Sequence, residues 1–84
     1  MAVAAFELFH RIGDPGSARV RRFVSEHSLE GDVRFRNLVF PEVERDFTDH
    51  GGKLAPALWD GERLIEGAEA AIARLEAYLD VGRS

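Results

Sequence analysis

Apolar positions along this chain fall into short extended runs and longer helical stripes, separated by glycine, proline and aspartate. Ala4 to Arg11 is apolar, aromatic and short, which suits a strand. Ile12-Gly13-Asp14-Pro15-Gly16 interrupts it, and a helical stretch follows with Val20, Phe23 and Val24 at i, i+3 and i+4. Arg19, Arg21, Arg22 and Glu26 occupy its other faces, and the turn formers His27 to Asp32 end it. Val33 to Val39 predicts a second strand, because its first five residues alternate apolar and polar. Pro41 then opens a second helix, with acidic residues in its first turn, where the helix dipole favours them. Gly51-Gly52 stops it.

Leu54 to Ile65 holds the clearest local signal. Asp60-Gly61 between two apolar runs predicts a two-residue hairpin turn of type I′, with positive φ at both central residues. From Ala68 to Leu79 a last helix places Ile72, Leu75 and Leu79 on one face, and Asp80 to Ser84 reads as a fraying tail. The order is β-α-β-α-β-β-α. Its first two strands are expected to be parallel, joined by a right-handed crossover, and its last two antiparallel.

Length and composition narrow the class. At 84 residues, positions 1–84 form one domain, with room for a single core. The apolar share of 45% and charged share of 31% suit a soluble globular protein. A formal net charge of −4 argues against a general nucleic-acid binder, which must neutralise phosphates. No apolar run approaches the ~18 residues of a membrane span. The first apolar run, Met1 to Phe6, is broken by Glu7 and has no basic leader, so it reads as strand rather than signal peptide. A cytoplasmic domain is the expectation. His10, His27 and His50 are too scattered for a metal triad, so no metal site is expected. The chain has no cysteine, hence no disulfide, thiolate metal site or redox chemistry of its own.

Arg11-Ile12-Gly13-Asp14-Pro15-Gly16-Ser17 has the spacing of a basic residue, two spacers and a C-P-Y-C motif. Leu54-Ala55-Pro56-Ala57-Leu58 matches a cis-proline loop in position, and Ile65 to Ile72 is similar to an E-S-x-A-I segment with Gly67 in place of the serine. On these motifs the chain resembles glutaredoxins and the N-terminal domain of glutathione transferases over nearly its whole length. The resemblance implies a thioredoxin-like (glutaredoxin-like) α/β fold, a four-stranded mixed sheet with three helices. In it Asp14 stands at the nucleophilic cysteine and Ser17 at the resolving one, with Pro15 and Gly16 between them, and Pro56 is the candidate cis-proline.

For activity, the same comparison points the other way. Thiol–disulfide exchange needs a thiolate, which no residue here supplies. An Asp14 carboxylate would repel a glutathione thiolate, and the Ser17 hydroxyl lies about one helical turn further in. Asp14-Pro15 also has a structural reading, since Asp is a leading N-cap and Pro is favoured at N1. The expected function is a redox-inactive module that binds an unidentified protein partner. Arg19, Arg21, Arg22 and Trp59 are its candidate contacts. Each has a plainer reading beside it: a solvated basic face paired to nearby acids, and a tryptophan that covers the sheet. The alternative is a glutathione-binding protein with residual transferase-type activity, using Arg11, Ala55, Pro56, Glu66 and Gly67.

Overall fold

The structure, a computed structural model that describes residues 4–82, has the element order β-α-β-α-β-β-α. Met1 to Val3, read as the lead-in to the first strand, and Arg83-Ser84 of the tail lie outside the described residues. The strands are β1 (Phe6–His10), β2 (Val33–Asn37), β3 (Ala57–Trp59) and β4 (Leu64–Glu66). The helices are α1 (Pro15–Glu26), α2 (Pro41–Asp49) and α3 (Ala68–Asp80). They form one four-stranded mixed sheet in the order β2-β1-β3-β4, the layout of a thioredoxin-like fold. β1 runs parallel to β2, with Phe6 opposite Val33 and His10 opposite Asn37. It runs antiparallel to β3, which is in turn antiparallel to β4.

Strand alternation assigns the faces. Phe6 and Leu8 point one way and join Val20, Val24, Leu29, Val33, Leu58, Ala71 and Leu75 in a core under α1 and α3. Phe9 points the other way and packs with Leu38, Val43, Phe47 and Ala57 under α2. The sheet is therefore the middle of three layers. Leu75 and Ala71 are the fully buried positions of α3, while Ile72 and Leu79 flank that core partly buried.

Several element boundaries differ from the sequence pattern. β1 begins at Phe6 rather than Ala4, β2 ends at Asn37 rather than Val39, and α3 runs on to Asp80. In the cases that follow, a side chain takes a backbone group. β1 stops at His10 rather than Arg11 because the Arg11 amide donates to Ser17 Oγ at 3.1 Å. β3 begins at Ala57 rather than Leu54. The Lys53 and Leu54 amides donate to Glu66 Oε2 at 2.7 and 2.6 Å, and the Ala55–Pro56 peptide bond is cis. The hairpin does not form the type I′ turn expected at Asp60-Gly61. Asp60 and Arg63 pair through their backbones, so the turn centres on Gly61-Glu62. Gly61 alone of its residues has a positive φ, +99°. Asp60 Oδ1 accepts from the Glu62 and Arg63 amides and fixes that arrangement. No helix among the described residues is long and apolar enough to cross a membrane.

Candidate functional site

Strand directions gather the loops of interest at one edge of the sheet. β1 and β2 are parallel, so His10 and Asn37 end there; β3 opposes β1, so Ala57 begins there, and β4 returns to it at Glu66. Arg11 to Ser17, Leu38 to Pro41, Lys53 to Pro56 and Gly67 therefore converge. The contact between loops is close. A Cβ built on Gly16 would lie 3.2 Å from Pro56 Cδ and 3.6 Å from Ala68 Cβ. Arg11, Asp14 to Ser17, Ala55, Pro56, Glu66 and Gly67 all belong to this edge. Trp59 does not, since it ends β3 on the far side.

Asp14 is the N-cap of α1, at φ −87° and ψ 122°, and Pro15 follows at the first helical position. Its Oδ2 accepts from the Ser17 amide at 2.7 Å. That bond, first, holds the Asp14 carboxyl below the usual carboxylate range; the Ser17 hydroxyl and the Arg21 and Arg11 cations add to it. Ser17 is fully buried, and its Oγ accepts the Arg11 amide. The Asp14 and Ser17 side chains thus brace the loop: one carries a fixed negative charge, the other is enclosed and engaged.

Behind this loop lies a residue that the sequence pattern did not bring forward. His10 is the third inward position of β1 after Phe6 and Leu8, and it is 4% exposed. Arg21 Nη1 stands 3.1 Å from His10 Nδ1 and also donates to the Arg11 carbonyl at 3.3 Å. A guanidinium can only donate, so Nδ1 accepts and the imidazole proton belongs on Nε2. Burial first, and then the Arg21 charge, hold the His10 pKa below its ordinary value. Arg21 is therefore a half-buried brace between helix and strand rather than part of a free basic face. Arg19 and Arg22 are exposed, and among the described residues no ion pair joins either to the acids expected for them. The ion pairs among the described residues join Arg36 to Glu7 and Asp46, and Arg74 to Asp60.

Two further candidates are occupied within the fold. The Trp59 ring stacks on His50 at 3.8 Å between centroids and 12° between planes, closing the end of α2 over the sheet. Glu66 spends its carboxylate on the Lys53 and Leu54 amides, which also lower its pKa. By contrast, no hydrogen bond from a described residue engages the Ala55 backbone.

The edge is also apolar to a degree that the alternation alone did not reveal. Ile12 and Val39 are 70% and 71% exposed, and Phe40 and Leu54 are 52% and 57% exposed. A groove of about 290 Å³ lies between Arg11, Ile12, Asn37 and Val39. Asn37 Oδ1 accepts the Val39 amide, which turns the chain and presents Val39 outward. The signal for these residues was their position: apolar side chains in punctuation between elements, where no core is available to them. Among the described residues, no group of three or more histidines or carboxylates is placed to hold a metal ion. The edge offers apolar contact, a free peptide unit and an arginine, with no thiol. No protein-family model matches the chain, and no curated protein matches its sequence.

Proposed function

We propose that this chain is a glutaredoxin-like domain without redox chemistry that serves as a cytoplasmic adaptor, binding an extended segment of a partner protein at this edge. The observation that carries the reading is the Ala55 peptide unit. It is unpaired among the described residues and stands between exposed Leu54 and Pro56, and the loops at the same end of the sheet carry exposed Ile12, Val39 and Phe40. An extended peptide pairs with such a unit through its main chain and buries alternate side chains on apolar walls. Solvent-exposed apolar clusters of this kind are characteristic of interaction sites. Arg19 and Arg22 leave their charges available to the same partner from the exposed side of α1. Glutathione binding is the alternative on the same edge, but its candidate Glu66 already holds two amides of the chain.

A library of blocked hexapeptides screened against the ¹⁵N-labelled protein tests the reading. Binding peptides should shift the amides of Ile12, Val39 and Ala55, and Leu54→Glu should abolish the effect. Peptides that bind Leu54→Glu equally well would sink the proposal. Glutathione is titrated in parallel; shifts at Asp14, Ala55 and Glu66 with no peptide binding would replace the adaptor reading by the glutathione one.

A further inference from the structure

α1 and α3 end side by side, at the opposite end of α1 from the edge described above. Phe23 and His27 from the end of α1, and Glu76, Leu79 and Asp80 from α3, line one groove of about 440 Å³. That volume lies within the range of ligand-binding pockets. Its α1 wall is aromatic: the Phe23 and His27 rings sit 4.1 Å apart at 33°. Leu79 supplies an apolar floor, packed against the core from its inner side.

The groove is negative, and the described residues leave that charge uncompensated. Glu76 and Asp80 are four apart on α3 and so share a face. Both are exposed, and neither takes part in an ion pair or hydrogen bond among the described residues. Neither α1 nor α3 has a basic residue in its last turn, where the negative end of the helix dipole favours one. The chain as a whole carries −4, which adds long-range attraction for a cation.

Aromatic wall, apolar floor and paired carboxylates suit one chemistry best. A guanidinium is planar and weakly hydrated, stacks on ring faces and bonds carboxylates with its edge. A lysine ammonium is a compact, strongly hydrated point charge and uses only the carboxylates. We propose that this groove is a second docking surface, which receives an arginine side chain from a basic segment of a partner protein. The twelve residues of α1 span about 18 Å, so the groove is separate from the edge and independent of the function proposed for it.

The probe is a blocked Gly-Arg-Gly-Arg-Gly peptide, titrated into the labelled full chain and compared with its citrulline and lysine counterparts. The arginine peptide should shift the ring signals of Phe23 and His27 and the methyls of Leu79. The lysine peptide should bind more weakly, and the citrulline peptide should bind at least as poorly as lysine. Glu76→Gln with Asp80→Asn, both at exposed positions, should weaken arginine binding by roughly tenfold or more. Phe23→Leu, which keeps an apolar filler, should weaken it while leaving the lysine peptide unaffected. Leu54→Glu should leave the titration unchanged. Equal binding of the citrulline peptide, equal binding by the double variant, or shifts confined to Leu54 and Ile12 would each overturn the assignment.

Discussion

Gly16 lies directly against Pro56, where a side chain fits only tightly between the start of α1 and the loop that enters β3. A Cβ at Gly16 would stand 3.2 Å from Pro56 Cδ and 3.4 Å from Asp14 Oδ2. The glycine's φ is not positive, so what favours it here is close approach rather than backbone freedom. Gly16→Ala should therefore stay within about 1 kcal/mol of the parent, since the gain in helix propensity offsets a tight contact. Gly16→Val adds branching at the same point and should cost roughly 1–3 kcal/mol. Urea denaturation of the two variants checks this. A valine variant as stable as the parent would mean that the two loops separate easily.

Gly52 is a second packing glycine, and its neighbour Gly51 is not. Gly51 has φ +83°, the left-handed conformation that ends α2. Gly52 has no such φ, but a Cβ there would lie 2.4 Å from Phe47 Cε1. Phe47 is 4% exposed and packs on Phe9 at 5.4 Å between ring centroids, so it has little freedom to yield. Gly52→Ala should cost about 1–3 kcal/mol through overpacking. Pairing it with Phe47→Leu should recover part of that loss, a coupling measurable in a double-mutant cycle. Additive effects would place the strain elsewhere.

These two glycines mark how far the sequence could be read. Element order, the N-cap at Asp14 and the helix start at Pro15 were legible because each rests on local chemistry, a cap acceptor or a fixed φ. Gly51-Gly52 read as one stop signal, since nothing local separates a conformational glycine from one that makes room for Phe47. The hairpin turn moved to Gly61-Glu62 because the Asp60 carboxylate took the Glu62 and Arg63 amides. Glu66 reads from sequence as a ligand-binding candidate and Ser17 as the resolving-cysteine position, yet both hold backbone groups of neighbouring loops, six residues away for Ser17 and twelve or thirteen for Glu66. Such bonds depend on the assembled sheet. So does the exposed cluster of Ile12, Val39, Phe40 and Leu54, which strand direction alone brings to one edge.

Acid should weaken the domain through the carboxylates that cap its loops. The Ser17 amide holds the Asp14 carboxyl below its ordinary value, and the Lys53 and Leu54 amides do the same for Glu66. A group whose folded pKa is depressed adds stability above its unfolded pKa, and that contribution is lost as pH falls through the folded value. The loss should therefore begin near the ordinary carboxylate range, about pH 4, and continue below it. Asp14→Asn keeps an oxygen for the Ser17 amide but cannot titrate. It should be less stable than the parent near pH 7 and should lose less on acidification. Urea midpoints from pH 7 to pH 2 measure both; parallel curves would remove Asp14 from the acid response.

His10 should produce a separate step at higher pH. Its imidazole is buried beside the Arg21 guanidinium, with Phe35 5.4 Å away between ring centroids, and accepts from Arg21 through Nδ1. Protonation would remove that acceptor and set two cations 3.1 Å apart. The folded pKa is lowered from 6.5, by burial first and by Arg21 second. The unfolded chain therefore takes up the proton more readily. Stability is full above about pH 6.5 and falls with pH until the folded imidazole is also protonated. His10→Gln supplies an uncharged acceptor for Arg21 and should flatten stability between the histidine and carboxylate ranges. The parent should slope downward across the same window. Arg21→Met removes the facing charge, so the His10 ring signals should then titrate at higher pH than in the parent. A His10 titration that ignores Arg21→Met would mean that the 3.1 Å contact carries no electrostatic coupling, and that burial alone keeps the ring neutral.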